Sequence, residues 1–321
     1  MPVTITAGIT FSGGGLTMEF APPSTATAGW WAGGYVTGNP YGPHYSTVDR
    51  ITYATDTATA TLRGPLSIAA NGVTGGVNTF TYGWHSGGLV NSASPTSYST
   101  VNRITFATDS GVATVRGPLS SARSQFGGTT DNTTYGWYSG AGGTGSSIDR
   151  IEFAVDTSTA SVRTKLNIIR SSQTSTSNSS YGYYIGGFKI PEVTSIERIT
   201  FATDTVTASI RGSLNSARWN IMGTGTDNYG WVSGGASTTI ERIDYANDTA
   251  LASIRGQLTS NRDVGAAAGN STYGWFAGGS SYPLYLSSVE RVTYSNDTVT
   301  ATLRGPLTQG RNGLGSSTGI Q

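Results

Sequence analysis

Apolar and polar residues alternate at a period of two in short runs along this chain, and the runs are closed by glycines. Leu16-Thr-Met-Glu-Phe20 and Thr159-Ala-Ser-Val-Arg163 are examples, each putting its apolar side chains on one side of an extended backbone. The stretch that contains the second run reads as a series of strands. Thr134-Tyr-Gly-Trp-Tyr-Ser139 is one strand, Ile148-Asp-Arg-Ile-Glu-Phe-Ala154 another and Thr159–Arg163 a third, with a hairpin turn at Asp156-Thr157. After Leu166 and Arg170 a looser strand of small residues runs from Ser171 to Ser179.

This unit recurs six times, about every 48 residues. Its opening Trp-x-x-Gly-Gly returns at Trp30, Trp84, Trp231 and Trp275; Tyr183 replaces the Trp in the fourth copy, and Ala141 splits the glycines that follow Trp137 in the third. Four strands per repeat of this length predict an all-β fold, a single six-bladed β-propeller, in which radial repetition leaves only short strand edges. The first unit starts near Thr25 without a small-residue strand, whereas Asn312–Gln321 has the composition of one. The C-terminal strand is therefore expected to close blade one. Outside the array, the alternation around Gly13-Gly-Gly15 predicts an N-terminal hairpin. This divides the chain into residues 1–22, an anchor or oligomer seam, and 23–321, the propeller.

The repeats resemble kelch repeats over residues 25–321, through the Gly-Gly doublet, the Asp of the following hairpin and an Arg seven residues beyond the last strand's Arg. The late Trp of the usual kelch motif is missing, and Arg-Gly-Pro-Leu holds its place. The phrasing Tyr-Gly-Trp-Phe-x-Gly-Gly followed by Glu-Arg-Ile and Arg-Gly-Pro-Leu is similar to repeats in structural proteins of tailed phages, particularly those infecting cyanobacteria. That resemblance implies a virion protein, either an exposed tail-fibre or attachment component or a structural connector of capsid or tail. Its implied partners are other virion proteins, through the N-terminal segment, and host surface polysaccharide; a homo-oligomer is a further use of that segment.

Charge and composition narrow the chemistry. The formal charge is +1 and the sequence pI about 7.9, so nothing steers the chain toward nucleic acid or anionic lipid. Cysteine is absent, which removes thiolate nucleophiles and Cys-based zinc sites. No stretch approaches the ~20 apolar residues of a membrane span, and the start lacks a basic, then apolar, export signal. No membrane insertion is expected, and a chain made in the host cytoplasm would reach the virion directly. No sialidase-type Asp box or calcium- or phosphate-loop spacing occurs, and the histidines and cysteine of a kelch-type copper oxidase are missing. The expectation is a non-enzyme without cofactor or metal.

The arginines fall into three repeat registers. Arg50, Arg103, Arg150, Arg198, Arg242 and Arg291 form the marker series; Arg63, Arg116, Arg163, Arg211, Arg255 and Arg304 the second; Arg123, Arg170, Arg218, Arg262 and Arg311 the third. A residue needed once per blade is expected to hold the blade; the alternative is a positive ring holding an anion in a central channel. Asp49, Asp149, Glu197, Glu241 and Glu290 each precede a second-series Arg by 14. A three-residue hairpin loop would place the pair Asp49–Arg63 and its equivalents directly across the ladder. The turn residues Asp56, Asp109, Asp156, Asp204, Asp248 and Asp297 are expected to bond nearby backbone N–H groups.

One loop accounts for most of the uneven repeat length. It is long at Tyr35–Thr47 and Leu89–Thr100, shorter at Phe188–Ser195 and Ser280–Ser288, and minimal in the other two copies. Equivalent loops emerge on one propeller face, and their aromatics nominate a sugar or protein contact surface. The candidates are Tyr35, Tyr41, Tyr45, Tyr98, Phe188, Tyr282 and Tyr285, together with His44 and His85, which sit in or beside the variable loops of the first two copies and are expected to be solvated there. The Tyr-Gly-Trp aromatics, present in nearly every copy, are expected in the core.

Overall fold

Each repeat folds into four short strands because its β-branched and aromatic runs are interrupted by Gly doublets with left-handed dihedrals, such as Gly278 and Gly279 at φ +65° and +90°. The computed structural model describes residues 9–12, 15–18, 26–36, 43–90, 96–141 and 145–321. In the third repeat, Gly127–Thr130, Tyr135–Ala141, Gly145–Glu152 and Ser161–Lys165 pair in that order, all antiparallel. The small-residue strand is thus the innermost of its blade, and six such strands abut in a ring about the axis. Blade one takes its innermost strand from the C-terminus: Gly315–Gly319 pairs with Ala28–Ala32, from Ala28 opposite Gly319 to Ala32 opposite Gly315. The fold is therefore a six-bladed β-propeller closed as its sequence predicts. Near the N-terminus Ile9–Ser12 pairs antiparallel with Gly15–Met18; the Val3–Thr6 run of the expected hairpin lies outside the described residues, as does Tyr41.

What joins the blades is the repeated Trp. It is fully buried and stacks on the aromatic residue of a 3-10 turn in the next blade: Trp30 on Phe106 at 3.9 Å, Trp137 on Phe201 at 4.1 Å, Trp275 on Tyr53 at 3.8 Å. Its indole N–H donates to the turn Asp of that blade, as from Trp231 Nε1 to Asp297 Oδ2 at 2.8 Å. The same carboxylate receives a marker Arg and a second-series Arg, here Arg242 at 3.1 Å and Arg255 at 2.7 Å. Where Tyr183 replaces Trp, its hydroxyl reaches Asp248 at 3.2 Å and its ring stacks on Tyr245. The marker Arg also lies over the Tyr of Tyr-Gly-Trp, as Arg150 does over Tyr135 at 4.1 Å. One carboxylate, three donors and a stack repeat at each seam, including the seam from blade six back to Asp56. Burial raises the carboxyl pKa of Asp297, but the Arg255 and Trp231 hydrogen bonds outweigh it and hold it below the usual range.

Two sequence expectations fail here, each for a geometric reason, and the alternative of an arginine ring falls with them. The turn Asp residues do not cap their own turns; they are buried and serve the preceding blade. The acids do not pair across the ladder, because Val48, not Asp49, stands opposite Arg63, and Asp49 stands opposite Leu62. A register one residue away turns the side chain to the other face. Instead each acid pairs with a third-series Arg from the connection into its blade: Asp49 with Arg311 at 2.7 Å, Asp149 with Arg123 at 3.1 Å, and likewise Glu197 with Arg170, Glu241 with Arg218 and Glu290 with Arg262. Nor do the arginines form a ring in the channel. They stand in the seams, and Thr74, Gly75, Gly128 and Ser175, with apolar residues such as Met222 and Leu314, line a channel cavity of about 120 Å³ that has no charged side chain among the described residues.

The Arg-Gly-Pro-Leu sequence gains a reason as well. Gly305 N donates to Asp56 O at 2.8 Å, and an added Cβ would overlap the Ala58 carbonyl of the neighbouring hairpin. Blade two breaks the acid–arginine pattern at both partners: Asn102 replaces the acid, accepting from Ser67 N at 3.0 Å, and Ala70 stands where the other connections carry Arg.

Candidate binding site

Each blade connection passes through one residue with left-handed dihedrals just before the inner strand begins: Gly72, Gln125, Ser172, Asn220, Val264 and Gly313, all at φ between +54° and +70°. Their peptide groups hydrogen-bond in a circle. Gln125 N donates to Gly72 O, Ser172 N to Gln125 O, Asn220 N to Ser172 O, Val264 N to Asn220 O, Gly313 N to Val264 O and Gly72 N to Gly313 O, at 2.7 to 3.1 Å. This ring forms a neck on the axis and holds even Val264, a β-branched residue that resists this conformation.

Strand two leaves each sheet on the side where the inner strand starts, so the uneven loops surround this neck. Above it lies a cavity of about 480 Å³, in the range of small-ligand sites. Of the sequence candidates, Tyr35, His44, Tyr282 and Tyr285 line it together. The Tyr35 ring meets the edges of His44 and Tyr285 at 6.1 and 6.2 Å. Asn71 Nδ2 donates to His44 Nε2 at 2.7 Å, and partial burial lowers the His44 pKa, so its ring is neutral near pH 7. Tyr282 is 99% exposed at the rim.

The other candidates lie apart. Tyr45 accepts a hydrogen bond from Gln309 Nε2 at 2.9 Å, and Tyr98 bridges the backbone of Arg123. Phe188 stays outside the cavity but leans on Trp219, which lines it, with ring centroids 5.3 Å apart. His85 is not a loop residue at all. It stands in the strand Tyr82–Ser86, 0% exposed, with Nε2 at 3.0 Å from Ser317 Oγ of the closing strand.

Burial lowers the His85 pKa to about 4. Between about pH 6.5 and pH 4 the unfolded chain binds a proton there and the folded chain does not, so His85's contribution is complete above pH 6.5 and is lost as pH falls through 4. The expected loss is roughly 3 kcal/mol. Denaturant titrations of the wild type and of His85→Asn at pH 7 and pH 4 check this: the variant should show a smaller acid-induced drop, and equal drops would refute the assignment.

Sequence reasoning missed Trp219, Asp263, Asn71 and Asn312, all at the cavity. They share one register, the residue after the third-series Arg or its Ala70 equivalent, which reads Asn, Ser, Ser, Trp, Asp, Asn around the ring. Variation at one place in an otherwise regular repeat was the available signal. Among the described residues no group of three or more His, Asp or Glu is placed to hold a metal ion. The site offers aromatic faces, amides and one carboxylate for non-covalent recognition.

No protein-family model matches this chain, and no curated protein matches it. Among solved structures, the one titled "Structure of YjhT" superposes with a TM-score of 0.67 over 88% of this chain and 98% of that chain, at 10% sequence identity. It is a six-bladed β-propeller, and at this identity the likeness concerns the fold alone.

Proposed function

We propose that this protein is a non-enzymatic recognition module of a tailed-phage particle, exposed on the virion, which binds host surface glycan with the face bearing the uneven loops. The observation that carries the reading is the convergence of Tyr35, Tyr282, Tyr285 and Trp219 with the amides Asn71, Asn220 and Asn312 on one cavity of about 480 Å³. Aromatic faces stack on the C–H side of a sugar ring while amides exchange hydrogen bonds with its hydroxyls. The phage assignment is supported by the repeat phrasing, and several copies on one particle would raise a weak single-site affinity without new contacts.

Glycan-array binding by the purified chain tests recognition, and mass spectrometry of purified particles tests the virion location. Binding is expected to be lost when Tyr35–Thr47, Leu89–Thr100, Phe188–Ser195 and Ser280–Ser288 are all cut to the four-residue form, with the circular dichroism spectrum retained. Retained binding would move recognition to the opposite face or to the N-terminal segment. A chain absent from particles but abundant in infected cells would overturn the virion reading.

A second reading, a connector between virion proteins, draws on the outer strands. Leu62, Val115, Val162, Ile210, Ile254 and Leu303 are each more than half exposed, one per blade. Images of the particle that show the outer edge covered and the loop face free of any ligand would favour it.

A further inference from the structure

The recognition reading leaves the class of sugar open, and the electrostatics of the cavity narrow it. Asp49, Asp149, Glu197, Glu241 and Glu290, and the six turn Asp residues, all pair with arginine. Asp263 does not. It is half-buried in the cavity wall, fixed by backbone hydrogen bonds in both directions with Ser280 at 2.8 and 2.9 Å. Its carboxylate receives a long hydrogen bond from Asn220 Nδ2 at 3.3 Å and one from the Val264 backbone N–H. Among the described residues no lysine or arginine lines the cavity, and His44 beside it is neutral. Burial raises the Asp263 carboxyl pKa, with the Asn220 and Val264 hydrogen bonds opposing, as for a carboxylate that lacks a cation. A carboxylate without a cation, beside exposed π-faces, matches a ligand that brings N–H donors and positive charge.

The geometry points to an amino sugar bearing a free, protonated amine as the ligand of the channel-mouth cavity, with Asp263 receiving the ammonium. This inference rests on the glycan-binding reading above. The wall that favours an ammonium opposes an acidic sugar, whose carboxylate would meet Asp263 with no cation to offset it.

Isothermal titration of the full chain with three β-1,4-linked tetrasaccharides, of glucosamine, N-acetylglucosamine and glucuronic acid, is the test, with a lysine-bearing peptide as a fourth probe. The glucosamine tetramer is expected to bind about tenfold or more tighter than the N-acetylated one, and the acidic one weakest. Asp263→Asn, which keeps the shape, should bring the first two within about twofold, while Tyr282→Ala should weaken both alike. Equal affinity for the amine and its acetylated form, preference for the acid, or a preference that survives Asp263→Asn overturns the amine inference and leaves glycan recognition standing. If no saccharide binds, both readings fail, and binding of the lysine peptide alone would identify a protein partner.

Discussion

A chain ending at Arg311 is expected to lose the closed ring. Residues 312–321 supply the entire inner strand of blade one, five residues laddered to Ala28–Ala32, the hydrogen bond from Asn312 N to Tyr35 O, and the Gly313 link of the neck circle. Without them the Ala28–Ala32 edge is open, and Trp30 and Trp31, both fully buried, lose one wall. Backbone bonds at about 1 kcal/mol each, with the lost burial, sum to at least ~5 kcal/mol, comparable to the whole stability of many domains. Thermal unfolding and size-exclusion chromatography check this: the truncated chain should unfold at markedly lower temperature or associate through its free edge, and a synthetic 312–321 peptide should partly restore it. Unchanged thermal stability would refute the closure.

Glu290→Gln is expected to cost about 3–5 kcal/mol, the second of the two largest effects. Arg262 and Glu290 are both completely buried, and Arg262 is held by Gly278 O at 3.0 Å and Ser288 O at 3.1 Å. Removing the negative charge leaves a guanidinium in the interior with dipoles alone to offset it, the expensive way to break a buried pair. Blade two provides the control, since it lacks both partners. Asn102→Asp alone and Ala70→Arg alone should each destabilise by burying an unpaired charge, while the double variant should recover most of the loss. Urea midpoints for the four chains measure that coupling; additive losses would show that Ala70 and Asn102 do not occupy the paired positions.

The residues that held their sequence-based assignments are those whose role is decided within one repeat. The Trp residues of the Trp-x-x-Gly-Gly motif read as core because they recur in nearly every copy, and they are core. Within the repeats the strands read from short alternating runs are strands, and Gly315–Gly319 was recognisable as a missing inner strand because every other blade begins with a strand of its composition. The periodicity of the chain by itself thus determined the fold, the blade count and the closure. What it left undetermined is whatever depends on how one repeat sits against the next. Trp30 meets Asp109 across 79 residues, and no local spacing separates that partner from the turn N–H groups beside it. Asp49 finds Arg311 and not Arg63 because the 3-10 turn at Tyr53–Thr55 sets the hairpin register one residue from the assumed one. The binding cavity belongs wholly to this second class. Tyr35, Trp219, Asp263 and Tyr285 come from different blades and connections, and they face one another only because six wedge-shaped sheets close around an axis, a constraint of tertiary packing that acts on the whole ring at once.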